Sequence, residues 1–258
     1  MKKFLLQSIV LVLFFNTAVA QKYVDGSAIA LAAKRGENIT YEGVTINGML
    51  DFTNYSKEKD NLSQRTWRWW GIAGNKKDET SIRGKIVFKN CTFNDEVIAY
   101  IVANNDYLFT ASFEQEVVFE NCVFKADAAF KYSDFNKNVT FAGSSFQEEA
   151  NFKYAKFYKD ADFSNINAKQ DANFKYAKFS KAANFSAAAI RTEANFKYAE
   201  FNNGLNLADA NINGLLNFKY TQIEGELETK GMSAAQIDTK YTKLNGASFS
   251  NYFLTSRD

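Results

Sequence analysis

The chain contains no histidine and no proline. Without histidine it cannot assemble a Ser-His-Asp or Cys-His catalytic group, a histidine-ligated zinc or a histidine pH switch, since no other side chain ordinarily titrates near neutrality. Without proline, every backbone N–H is available to a neighbouring strand. Cys91 and Cys122 are the only cysteines. They are too few for a disulfide scaffold and, with no histidine beside them, point to no metal site. A glycine-rich phosphate loop, a CxxC pair and a calcium-loop pattern are all missing. So is charge of one sign: 31 basic residues stand against 29 acidic ones. What is abundant is phenylalanine, with 25 Phe and 13 Tyr in 258 residues that are 46% hydrophobic, the reverse of a disordered or collagen-like composition.

The first twenty residues read as a signal peptide. Lys2 and Lys3 precede an apolar run from Phe4 to Phe15, and Ala18-Val19-Ala20 supplies a small-x-small cleavage pattern, placing the cut after Ala20. The run is short of the ~20 residues that span a bilayer, and no later segment approaches that length, so no membrane span is expected after cleavage. Loss of residues 1–20 removes two lysines and no acids, leaving a neutral product with 29 basic and 29 acidic residues. The expected address is periplasmic or extracellular.

The remaining sequence is periodic. ANFKYAKF at 150 and 172 and ANFKYAEF at 194 are flanked by AAFKYSDF at 128 and LNFKYTQI at 216, so the interval is 22 residues. Within it large apolar residues recur at alternating steps of 5 and 6: Phe119, Phe124, Phe130, Phe135, Phe141, and so on to Phe218 and Ile223, with Ala168 as a gap. Neither a helix nor a simple alternating strand produces this spacing. Two positions before most of these stands a small residue, such as Ala128, Ala150, Ala172 and Ala194, with a polar residue between. In extended chain, residues two apart face the same side, so small-polar-Phe reads inward, outward, inward. Four such faces joined by corners close a coil of 22 residues, and successive coils stack ~4.8 Å apart as parallel strands. About fifteen ladder phenylalanines at ~1.5–3 kcal/mol each supply tens of kcal/mol against chain entropy.

These residues resemble the bacterial pentapeptide-repeat family, whose unit is Ala-Asp/Asn-Leu/Phe plus two variable residues, in the Phe-centred form with alternating 5 and 6 spacing. The resemblance is strong over 108–223 and clear at IVFKNCTF, 86–93. It implies an all-β fold, a right-handed quadrilateral parallel β-helix with short capping segments. Some cytoplasmic members mimic DNA and act on gyrase, which calls for a strongly acidic surface. The neutral charge and export signal here point away from that role and from any nucleic-acid partner.

The expected organisation is a signal peptide at 1–20, an N-terminal cap at 21–38 with Ser27–Lys34 helical, and an incomplete first coil at 39–52. An insertion follows at 53–80, then the β-helix at 81–223, then a degenerate last coil and C-terminal cap at 224–258, to which Ile237, Ala247 and Phe249 contribute. The insertion holds all three tryptophans in Trp67, Arg68, Trp69 and Trp70; the stretch either packs over the solenoid or forms an exposed aromatic site. Cys91 and Cys122 occupy equivalent small inward positions but lie 31 residues apart, which is not one coil, so the thiols need not be neighbours; a buried free pair and a disulfide both stay open.

The outward positions repeat as well. Lys131, Lys153, Lys175, Lys197 and Lys219 follow the Phe of one face, and Tyr132, Tyr154, Tyr176, Tyr198 and Tyr220 follow the Lys, with an acidic column of Asp127, Glu149, Asp171 and Glu193 beside them. One reading is a solvated face with tyrosines stacked at a corner. The other is a binding face for a repetitive anionic or glycan polymer, centred on Lys153, Tyr154, Lys175, Tyr176, Lys197 and Tyr198. A β-helical polysaccharide lyase or hydrolase would need a carboxylate pair, and Asp160, Asp162 and Asp171 do not stand out from the surface columns. The expectation is a non-enzymatic scaffold or interaction protein with no cofactor, no catalytic residues and no metal, whose partner is a protein or a cell-envelope glycan polymer.

Overall fold

The computed structural model describes residues 22–55, 76–103 and 107–249. The chain winds into a four-sided parallel β-helix. In chain order, face A runs from Ile39–Glu42 through Ile86–Lys89 and Val117–Glu120 to Leu227–Glu228, and face B from Tyr23–Asp25 through Thr45–Asn47, Thr92–Phe93 and Val123–Phe124 to Ala189–Ile190. Face C runs from Leu50–Asp51 through Ala128–Ala129 and Ala150–Asn151 to Glu193–Asn195, and face D from Lys76–Ile82 through Tyr107–Phe113 and Asp134–Phe135 to Lys243–Leu244. The strands Asn211–Asn217 and Ser233–Asp238 cross the corner between faces B and C without a break. Gly214 lies at that crossing, where a β-carbon would come within 1.7 Å of the Thr192 carbonyl oxygen.

Register follows the 22-residue interval. Ala128, Ala150, Ala172 and Ala194 pair in line on face C, and Phe135, Phe157, Phe179 and Phe201 on face D. The core is four stacks of rings. Phe130, Phe152 and Phe174 lie 5.3 and 5.0 Å apart with nearly parallel ring planes, while Phe163 meets Phe152 and Phe174 edge-on at 78° and 79°. Offset-parallel stacking along the axis and edge-to-face contact across it are both favoured by the ring quadrupole, so the lattice satisfies every ring at once. The Ala columns leave the space that these rings fill. On face B the aromatic stack ends after Phe146, and Ala168, Ile190 and Ile212 continue it.

The corners explain the alternating steps. The five-residue steps, A to B and C to D, make tight turns, most of them closed by an N–H that bonds the carbonyl three residues back, as Ala155 N to Phe152 O at 3.0 Å and Ser144 N to Phe141 O at 3.0 Å, while Cys122 N bonds Ser144 Oγ instead. The third residue of each turn has positive φ: Asn121, Gly143, Asn165, Ala187 and Asp209 at the A–B corner, Tyr132, Tyr154, Tyr176, Tyr198, Tyr220 and Tyr241 at the C–D corner. The six-residue steps carry the looser B–C and D–A corners.

Three features depart from the sequence reading. First, the strand Lys76–Ile82 begins inside the stretch read as an insertion and completes face D of the first coil, pairing over seven positions with Tyr107–Phe113. The coil at 39–52 is therefore closed rather than incomplete, and the interruption falls between faces C and D, where residues 56–75 lie outside the described ones. Secondly, the β-helix at 81–223 contains an outward hairpin, Tyr100–Val102 antiparallel to Tyr107–Phe113. It adds nine residues to one coil and so converts 31 residues into a single step. Cys91 and Cys122 are in consequence neighbours in one column, with Thr92 opposite Val123 and Phe93 opposite Phe124. Both thiols are free and buried. Cys91 donates to Tyr41 O at 3.6 Å, Cys122 to Phe88 O at 3.4 Å, and Ser144 one coil on donates to Phe119 O at 2.7 Å, so the column is a line of short polar side chains stitching coils together. Sharing a proton with Cys91, together with burial, pushes the Cys122 thiol well above its ordinary value. Thirdly, Ala247 is exposed, in an antiparallel pairing with Leu244, whereas Phe249 is buried and Ile237 is half-buried.

The helix spans Gly26–Lys34, with Asp25 as its N-cap accepting from Ser27 N. It buries Ile29, Ala30 and Ala33 over the first coil, and Lys34 reaches the Thr53 carbonyl at 2.6 Å. It covers a strand edge and core that would otherwise lie open.

Candidate functional surface along the C–D corner

Sequence reasoning places one candidate at the corner between faces C and D, and the structure brings those residues into one ridge. Asn151, Asn173, Asn195 and Asn217 each turn their side-chain oxygen to the backbone N–H two residues on, that of Lys153, Lys175, Lys197 and Lys219, at 3.1–3.2 Å. This pins the start of the turn. The next residue must adopt positive φ, and it is tyrosine at φ 60–63° in all six coils from Tyr132 to Tyr241. Left-handed backbone costs a bulky residue ~1–2 kcal/mol, so something must offset it.

The offset is visible in the rings. Tyr132, Tyr154, Tyr176, Tyr198, Tyr220 and Tyr241 form a continuous stack with centroids 4.7–4.8 Å apart, and the contacts from Tyr132 to Tyr220 are within 4° of parallel. Each such pair contributes ~0.5–1.5 kcal/mol beyond burial. At the rim of each ring lies the ammonium of its own turn, measured from the ring centroid: Lys153 at 5.2 Å, Lys175 at 5.3 Å, Lys197 at 5.4 Å, Lys219 at 5.7 Å and Lys240 at 5.1 Å. Stacking covers the ring faces, so the ridge presents tyrosine edges and ammonium groups.

The acidic column does not pair with this ridge. Glu149 accepts from Asn173 at 3.0 Å and Glu193 from Asn217 at 2.8 Å, and Asp171 receives the Thr192 hydroxyl and the Glu193 N–H. Other lysines do find acids one coil away, as Lys89 with Glu120 and Lys178 with Glu200, both at 2.8 Å. Among the described residues no ladder lysine has such a partner.

The N-terminal end of the ridge is closed over. The hairpin packs Tyr100 and Leu108 with Ile98 and Ala129, and Tyr132 lies against that cluster. Lys131 is fully buried there, between the rings of Tyr100 at 5.3 Å and Tyr132 at 5.0 Å, and its ammonium has no hydrogen-bond partner. Burial, aided by the charge of Lys153, pulls its ammonium down to about 8, and burial pushes the Tyr132 phenol up to about 12. Lys153 is lowered and Tyr154 raised for the same reason. Asp127, at the neighbouring corner, is raised to about 6 by burial and by Glu148.

Trp67, Arg68, Trp69 and Trp70, the second candidate, lie outside the described residues. The carboxylates weighed for catalysis are not gathered: Asp160 and Asp162 border a shallow groove on face A with Glu116, while Asp171 precedes the face C strand Ala172–Asn173. Among the described residues no set of three acidic or thiol groups could hold a metal ion, and no helix is long and apolar enough to cross a membrane.

Fold and surface together define a solenoid protein whose repeated residues are the means of stacking. The family model for pentapeptide repeats in nine copies matches residues 108–156, 130–178 and 174–222. Residues 108–222 are thus built of pentapeptide repeats of this family. No curated protein and no solved structure matched it.

Proposed function

We propose that the chain is an exported, non-enzymatic scaffold or interaction protein of the bacterial periplasm or cell exterior. The family supports a scaffold role, and the signal-peptide pattern of residues 1–20 supports export. The observation that carries the reading is the use of the repeated side chains: Phe fills the core, Asn pins the turns and Tyr stacks along the corner, leaving flat faces on a stiff body. Two measurements test it. Expression of the whole coding sequence should yield a product beginning at Gln21 in the periplasmic or culture fraction, and an uncut cytoplasmic product contradicts export. Cross-linking in that fraction should trap a macromolecular partner, and a protein that remains free contradicts the scaffold role.

A second reading, in which the ridge binds an anionic polymer, is favoured by the ladder lysines lacking acidic partners. Stacked ring faces leave no flat aromatic platform for a neutral sugar, so attraction must come from the ammonium column. Changing Lys153, Lys175 and Lys197 together to Glu should abolish retention on an acidic polysaccharide column, and unchanged retention removes the ridge from consideration.

A further inference from the structure

Face B carries a groove that neither the core nor the ridge uses. It is an open notch of about 280 Å³ walled by Asn167, Lys169, Arg191 and Asn213, with Ala189 as its small outward floor. The notch arises because Ala189 is flanked in its column by Asn167 and Asn211, so one short side chain sits between two longer ones.

Two cations on adjacent coils edge this notch without neutralisation. Lys169 and Arg191 follow Ala168 and Ile190, are both exposed, and among the described residues neither side chain has an ion-pair or hydrogen-bond partner. The acids two residues beyond them are engaged elsewhere. Asp171 is held by the Thr192 hydroxyl and the Glu193 N–H, and Glu193 accepts from Asn217 at 2.8 Å. The residues directly following the cations, Gln170 and Thr192, are neutral. The groove is therefore positive, with two carboxamides that both donate and accept and a floor without polar side chains.

We propose that this groove binds one sugar unit bearing a carboxylate. The guanidinium fork and the ammonium suit an oxyanion, the two carboxamides, two coils apart, suit hydroxyls at opposite edges of a ring, and Ala189 accommodates a ring's C–H surface. The volume, about 280 Å³, is of the size that holds a single small unit. The site shares no residue with the lysine–tyrosine ridge, so each is tested without the other.

The test is an amide NMR titration of the full chain with sodium glucuronate, glucose and inorganic phosphate in parallel. Glucuronate should shift the resonances of Asn167, Lys169, Arg191 and Asn213 saturably, glucose should not, and phosphate should bind about tenfold more weakly. Arg191→Glu and Lys169→Glu should each weaken glucuronate by about tenfold or more, the loss of a charge-assisted bond, with the melting temperature unchanged. Asn213→Ala should weaken glucuronate and leave phosphate unaffected. Shifts elsewhere on the molecule, equal response to glucose, phosphate binding as tight as glucuronate, or full binding by Arg191→Glu each overturn the proposal.

Discussion

The two five-residue corners of each coil have the same backbone and different sequences. At the A–B corner the positive-φ position is filled by Gly43, Asn90, Asn121, Gly143, Asn165, Ala187, Asp209 and Gly231, a set dominated by residues that tolerate left-handed backbone. At the C–D corner the same position is tyrosine in every coil from Tyr132 to Tyr241. Geometry alone thus does not select tyrosine. Its uniformity reflects what the side chain does above the turn, where a stack extends only if every coil contributes a ring. The A–B corner solves a local problem coil by coil, whereas the C–D corner solves it collectively and leaves a row of ammonium groups as a consequence.

Four perturbations probe that contrast. The largest effect should come from the core both corners share: Phe174→Ala removes a ring stacked on Phe152 and Phe196 and edge-on to Phe163 and Phe185, and should lower unfolding free energy by about 3–5 kcal/mol in denaturant titration. A much smaller loss would mean that the stacks relax around a cavity. Next, converting Tyr154, Tyr176 and Tyr198 together to Asn makes the C–D corner resemble the A–B one. It breaks the four contacts from Tyr132 to Tyr220 and relieves backbone strain at three turns, for a net loss of about 1–3 kcal/mol. No loss would make the stack energetically idle.

The third perturbation is pH. Lys131 is held at about 8 in the folded chain, below the ordinary lysine value, so between pH 8 and about 10 the unfolded chain binds more protons and stability rises with pH. Above about 10 Tyr132, raised to about 12, reverses the trend, because the unfolded phenol ionises first. Thermal unfolding should be most favourable to the fold near pH 9–10, by on the order of 1–3 kcal/mol over pH 7, and Lys131→Met should flatten the rise. A rise that persists in the methionine variant assigns it to another group. The smallest effect is Ala187→Gly, which removes left-handed strain at a corner without a stack and should stabilise by up to about 1 kcal/mol after the entropy cost of glycine. Tyr176→Gly, the same change at the other corner, should destabilise, and equal signs would erase the distinction between them.

The fold was legible because Phe at steps of 5 and 6 is a spacing that only a four-sided coil explains, and Phe130, Phe152, Phe174 and Phe196 all lie in one column. The stacked tyrosines were among the readings for the same reason. The hairpin at Tyr100–Phe113 was not legible, because it falls outside the 22-residue period that revealed the coils. That omission hid the adjacency of Cys91 and Cys122, the burial of Lys131 and the completion of the first coil by Lys76–Ile82. The diversion of the acidic column to the Asn side chains was also invisible, because spacing shows which residues share a column and not which hydrogen bonds they choose. The groove on face B depends on one short side chain, Ala189, between longer ones, a difference in volume that periodicity does not weigh.

The collective character of the C–D corner can be measured directly by a double-mutant cycle on Tyr154 and Tyr176, each changed to Asn singly and together, followed by denaturant unfolding. Rings in contact at 4.7 Å predict a favourable coupling of about 0.5–1.5 kcal/mol, so that the second substitution costs less than the first. Strictly additive losses would show that each tyrosine acts within its own turn, and the stack would then be a product of repetition rather than a source of stability.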